Sequence, residues 1–157
     1  MDMNKTLESF KKVLKALHEY EVEYVLIGGF AVALQGVERF TKDLDIFIRN
    51  EPANIRKLKQ ALHSVFNDSA IEEIDEHETC PVVRYGTPDD YYIDILSGIG
   101  EAFTFDDLEY EVIRREGIDI RIATIETMIK LKESTIRLQD KADALDLKRL
   151  LEKRKRK

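Results

Sequence analysis

Cysteine is all but missing: Cys80 is the single one in 157 residues, which excludes a disulfide framework and a cysteine-ligated metal centre. Long apolar runs are missing too. None approaches the roughly 20 residues that a membrane-spanning helix needs, so no membrane association is expected. The opening stretch, MDMNKTLESFKK, lacks the charged-then-apolar layout of a secretory signal. No repeat, low-complexity tract or linker interrupts the chain. What remains, 43% hydrophobic and 36% charged residues, is the composition of a soluble globular protein, and a bacterial-type cytoplasm is the expected location. The length suits one domain with a sizeable core. The expected division is a core over residues 1–123 and a helical segment over 124–157 packed on it.

Charge of one sign is scarce in one place only. Residues 148–157, KRLLEKRKRK, carry +6 of a total of −6, which leaves −12 on the other 147 residues. A basic tail on an acidic body offers a contact for RNA. The plainer explanation is a solvated helix end, where Lys and Arg complement the helix dipole. The acidic body argues against broad nucleic-acid binding.

Hydrophobic spacing orders the rest. Leu7, Phe10, Val13, Leu14 and Leu17 recur at helical intervals. VEYVLI (22–27) predicts a short buried strand stopped by Gly28-Gly29, and FAVALQ predicts a helix ending near Gly36. DLDIFI (43–48) predicts a second strand. Pro52 suits the first residue of a helix whose apolar stripe is Ile55, Leu58, Leu62 and Val65. PVVRYG (81–86) and YYIDIL (91–96) predict two strands joined through the turn signal GTPDD, and YEVIRREGIDIRIA (110–123) predicts a hairpin turning near Gly117. From Thr124, an N-cap, the pattern is helical to the basic tail. Residues 67–80 and 97–109 carry no periodicity that assigns them. The order predicts an α/β (α+β) fold: a short mixed sheet with helices packed on one face, a site on the other, and a helical C-terminal segment.

Against this apolar background Asp43 and Asp45 stand out. Side chains alternate along a strand, so both carboxylates leave the face opposite Leu44, Ile46 and Ile48, about 7 Å apart at their α-carbons. Asp94, between Ile93 and Ile95, repeats the pattern; if the two strands are neighbours, three acids meet. Crowded carboxylates repel, and each tends to take up a proton. A divalent cation removes the conflict: Mg²⁺ takes oxygen ligands and is commonly held by a few carboxylates plus substrate phosphates. A pair of such ions stabilises both the attacking and the leaving oxygen of an in-line phosphoryl displacement. Taken alone, an exposed strand face with scattered acids would give the same D-x-D.

The glycine pair adds a second half. A strand that ends in Gly28-Gly29 and passes into a helix leaves backbone amides for an anion, with no β-carbon to keep a phosphate away. An ordinary tight turn is the simpler explanation of the pair by itself. Neither G-x-x-x-x-G-K-[ST] nor G-x-G-x-x-G occurs. The stretch GGFAVALQGVERFTKDLDIFI, however, resembles the signature of the DNA polymerase β-like nucleotidyltransferase superfamily, most closely its small bacterial branch of AbiEii-type toxins and minimal relatives. The likeness is good over residues 22–96 and looser over 124–150.

The resemblance implies a metal-dependent transfer of a nucleoside monophosphate from an NTP to an acceptor hydroxyl, with release of pyrophosphate. Gly28 and Gly29 match the turn, Asp43 and Asp45 the metal-binding pair, and Asp94 the third acid. Asp43, Asp45 and Asp94 would then be both catalytic and metal-binding, with two Mg²⁺ ions, or Mn²⁺ in their place. Lys132, in LKESTIRLQDKADALDLKRL with Asp140 and Asp143 behind it, matches the later basic residue that neutralises the triphosphate. Arg39 and Thr41 flank the acid strand in the manner of the family, which implies nucleotide-binding roles, Arg39 contacting phosphate and Thr41 orienting the turn, although surface roles account for them equally. The Ser that often follows the first Gly is Gly29 here, so one hydroxyl contact is lost. The acceptor is tRNA, a protein hydroxyl or a small molecule, and the branch implies a toxin–antitoxin partner. The alternative is a nucleotide-binding or partner-binding module without turnover. Of Tyr91 and Tyr92, beside Asp94, at least one is expected to pack in the fold rather than stack a base. His18, His63 and His77 share no metal-ligand spacing.

Overall fold

In a computed structural model, residues 3–37, 41–77, 79–98, 103–133 and 138–155 are described, the side chains at 3, 4 and 138–143 excepted. Helix α1 (Met3–Glu19) buries Phe10, Val13, Leu14 and Leu17 completely. It leads into β1 (Tyr24–Ile27), whose four residues are all buried, then α2 (Gly28–Leu34) and β2 (Leu44–Ile48). Helix α3 (Pro52–Phe66) opens with proline in its first turn and ends at Asn67, in the left-handed conformation with φ 48°. Both are the residues those positions favour. Strands β3 (Val82–Gly86), β4 (Tyr92–Leu96), β5 (Tyr110–Arg115) and β6 (Ile118–Ala123) follow, then α4 (Ile125–Glu133) and α5 (Leu138–Lys155).

The six strands form one mixed sheet in the order β3-β4-β2-β1-β6-β5. Strand β1 runs antiparallel to β2 and parallel to β6, while β2 runs parallel to β4. The hairpins β3–β4 and β5–β6 form its two margins. The β5–β6 turn places Glu116 and Gly117 at φ 51° and 79°, the pairing of positive dihedrals that a two-residue hairpin needs. This is the mixed α/β architecture that the sequence predicts.

Helices α1 and α3 pack together, and Ile55 and Leu58 of α3 face Ile48, Val83 and Ile95 across a small apolar cavity. Asn54 is buried in α3 and fully bonded: its amide donates to the carbonyls of Glu23 and Arg49, and its oxygen accepts from the Glu23 N–H. That one side chain fixes the start of β1 beside the end of β2. Phe47 shares the face of Asp45 and is fully buried, so the acid-bearing face is itself covered over part of its length. Helix α4 adds Ile125, Met128, Ile129 and Leu131 to the core, and Thr124 Oγ1 accepts the Thr127 N–H as the predicted N-cap. At the far end of α2, Arg154 of α5 donates to the Gln35 carbonyl at 3.0 Å. The segments that periodicity leaves unassigned contain short 3-10 turns at Ser69–Glu73 and Phe105–Asp107, too brief to show a period. No helix among the described residues is long and apolar enough to cross a membrane.

Candidate active site

Strand register builds the site. The parallel β2–β4 pairing sets Asp45 opposite Asp94, the antiparallel β3–β4 pairing sets Arg84 opposite Asp94, and β1–β2 sets Ile27 opposite Asp45. One rung across four strands therefore reads Arg84, Asp94, Asp45, Ile27, and the residue that follows β1 is Gly28. The condition that the two acid strands be neighbours is met. Asp43 sits one residue before β2 begins, and its Oδ1 accepts the Tyr92 N–H at 3.1 Å.

Gly28 makes room for the rung. Its φ is +78°, and a β-carbon there would lie 2.0 Å from Asp45 Oδ2, far inside any contact distance. The backbone reverses from the extended Ile27 into α2 against the carboxylate itself. Glycine is the residue that satisfies both demands.

Burial, and next the Asp94 carboxylate within hydrogen-bonding reach, push the Asp45 pKa up to about 7; Lys132 opposes this and Asp43 adds to it. A free aspartate titrates near 3.9. Between those values the folded protein keeps a proton that the unfolded chain has released, so stability falls as pH rises from about 4 to about 7 and stays reduced above it. Metal-free Asp45→Asn should lose that slope and gain on the order of 2–4 kcal/mol at pH 8. Urea unfolding in a chelator at pH 5 and pH 8 measures it; identical pH profiles for the two proteins would show that Asp45 ionises normally.

The remaining sequence-predicted residues fall as follows. Lys132 is buried on α4, within electrostatic reach of Asp45. Gly29 lies in the first turn of α2, and Thr41 is half-buried two residues before Asp43. Arg39 lies outside the described residues, as do the side chains of Asp140 and Asp143. Tyr91 belongs to the core: it is buried, bonded to Ser9 Oγ at 2.8 Å and in edge contact with Phe10. Tyr92 is exposed. Sequence reasoning missed Arg84, whose Nε donates to Asp94 Oδ1 at 2.9 Å while Nη2 lies 3.6 Å from Asp43 Oδ2. Its guanidinium also stands 4.3 Å from the centre of the Tyr92 ring.

The donor set suits a hard divalent cation, since it is all carboxylate oxygen; the raised pKa of Asp45 comes first from burial and only then from the neighbouring Asp94. Among the described residues no three such side chains already close into a metal-binding cluster. Asp43 and Asp94 are instead linked through Arg84.

Solved structures share this fold. Lincosamide antibiotic adenylyltransferase LnuA, lincomycin-bound, aligns over 91% of this chain and 96% of its own with a TM-score of 0.61 and 17% identity. ANT(2")-Ia in complex with adenylyl-2"-tobramycin aligns over 93% and 88%, with a TM-score of 0.56 and 13% identity. An antigenic nucleotidyltransferase-like protein from Paracoccidioides brasiliensis aligns over 93% and 74%, with a TM-score of 0.54 and 15% identity. No curated protein sequence matches. The profile of the nucleotidyl transferase AbiEii toxin family, of the type IV toxin–antitoxin system, matches residues 12–147. With most of its length matched, the chain belongs to the AbiEii nucleotidyl transferase family.

Proposed function

We propose that this chain transfers a nucleoside monophosphate from an NTP to an acceptor hydroxyl, with Mg²⁺ or Mn²⁺ and with release of pyrophosphate. The observation that carries the proposal is the meeting of Asp45 and Asp94 on one strand rung, with Asp43 beside them and the Gly28 turn against Asp45. Membership of a nucleotidyl transferase family supports it. Asp43 and Asp45 would hold two ions and Asp94 one of them. Bound there, the ions would lower the pKa of the acceptor hydroxyl and offset charge on the phosphates in an in-line displacement.

The chain's own groups do the rest. Backbone amides of Gly28 and Gly29 receive the triphosphate, and Lys132 offsets its charge, with Arg39 as a further phosphate contact and Thr41 orienting the turn at the nucleotide. Asp94 accepts the hydroxyl proton. The acceptor oxygen bonds to the α-phosphorus, the bond from that phosphorus to the bridging oxygen breaks, and pyrophosphate leaves with the electron pair. In this reading residues 1–123 form the catalytic core and 124–157 the helical segment that supplies Lys132. Two proteins of the same fold were solved with lincomycin and an adenylylated tobramycin, which keeps a small molecule beside tRNA and a protein hydroxyl as acceptor classes. The family's toxin–antitoxin description supports a protein partner.

Incubation with Mg²⁺, each α-labelled NTP and fractionated cell extract should label one fraction. Asp94→Asn should leave Mg²⁺–NTP affinity within a few-fold and cut turnover by about 10²-fold or more, the scale of a general base. Near-normal turnover in that variant would remove Asp94 from its role. Failure of every NTP to label any fraction would favour the second reading, a nucleotide- or partner-binding module. The observation on that side is the pair of Arg84 contacts that engage Asp94 and Asp43.

A further inference from the structure

Arg84 occupies the place where the carboxylates need a cation. Its Nε–Asp94 Oδ1 contact at 2.9 Å, its Nη2–Asp94 Oδ2 contact at 3.5 Å and its Nη2–Asp43 Oδ2 approach at 3.6 Å span two of the three acids. The register of β3 against β4 dictates this placement, since Arg84 and Asp94 are direct cross-strand partners. Yet the side chain is not locked: 54% of it is exposed, and Tyr92 offers its ring as a second support at 4.3 Å. A guanidinium on those oxygens and a divalent ion on the same oxygens exclude one another.

We propose that Arg84 is a positioning residue that couples metal entry to nucleotide entry. In the metal-free protein it neutralises Asp43 and Asp94. When metal and triphosphate arrive together, the guanidinium leaves the carboxylates for the phosphate oxygens, to which it can bond in the same forked manner, and Tyr92 keeps it at the mouth of the site. Metal alone must displace the guanidinium from its ion pairs into solvent; triphosphate supplies a second anion that takes it up. The coupling is reciprocal, as any linkage of two binding events must be. The inference rests on the metal-dependent reading above.

Mn²⁺ and inorganic triphosphate test it without an acceptor or a chosen base. Bound Mn²⁺ is followed by electron paramagnetic resonance in wild type, Arg84→Gln, Arg84→Lys and the Asp43→Asn/Asp45→Asn variant, with folding checked by circular dichroism. Arg84→Gln should bind Mn²⁺ alone about fivefold tighter and Mn²⁺–triphosphate about fivefold more weakly, the scale of one partly exposed ion pair. Arg84→Lys, which keeps the charge but not the fork, should fall between. Shifts of opposite sign separate coupling from a loss of packing, which would weaken both. If either shift is absent or reversed while the double acid variant still loses Mn²⁺, this inference is overturned and the functional reading stands. If no variant and no wild-type protein binds Mn²⁺, with or without triphosphate, both are overturned.

Discussion

Metal-dependent ATP binding should vanish when Asp43 and Asp45 are both replaced by asparagine, while the fold is kept or strengthened. Loss of groups that merely orient metal ligands typically costs 10–100-fold in affinity, so removing two proposed ligands should exceed about 10²-fold. Stability should move the other way. Burial and the nearby Asp94 make ionised Asp45 unfavourable in the metal-free protein, and Asp43 adds its own charge to the same neighbourhood. Asparagine keeps the shape and removes the repulsion. Calorimetric titration of ATP in the presence of Mg²⁺, paired with thermal unfolding, gives both numbers. Unchanged affinity in a folded double variant would end the metal-site proposal.

Gly28→Ala should be a costly small change at the start of α2. Two penalties coincide there: φ +78° and a β-carbon 2.0 Å from Asp45 Oδ2. Gly117, with φ +79° and nothing within 4 Å, carries only the first and serves as the control. Gly117→Ala should cost about 1 kcal/mol, the penalty of the left-handed region, and Gly28→Ala about 1–3 kcal/mol more from overpacking. Pairing Gly28→Ala with Asp45→Gly should relieve the collision and leave the backbone strain, a coupling that a double-mutant cycle in urea isolates. Equal losses at Gly28 and Gly117 would mean that the Gly28 turn and the Asp45 strand separate freely.

Elements with strong periodicity were legible because local patterning and packing agree in them. The stripe of α1, the proline start of α3 and the Gly117 hairpin all follow from residue type and spacing. The acid pair was legible because alternation on β2 leaves few choices of face. The strand itself begins one residue later than DLDIFI predicts, at Leu44, and the Tyr92 N–H goes to the Asp43 side chain rather than to a backbone carbonyl. Arg84 went unseen for a different reason. Its partner is set by where the 86–92 connection turns, a register the sequence states only through GTPDD. Centring the hairpin near residue 89 would have put Arg84 across from Asp94. Lys132 is related to Asp45 through tertiary packing of α4, which no local pattern records.

The strand order also sets a schedule. Leu26 in the middle of the sheet pairs with Ile122, which is made 96 residues later, so at about 5–20 residues per second β1 waits on the order of 5–20 s for its second neighbour during synthesis. Through that interval a strand of sequence YVLI, wholly buried in the finished protein, has one hydrogen-bonding edge open. The acids at 43, 45 and 94 have all been made by then, while Lys132 has not. A stall anywhere between residues 97 and 123 would thus leave the ribosome carrying an adhesive half-sheet and an unfinished candidate site.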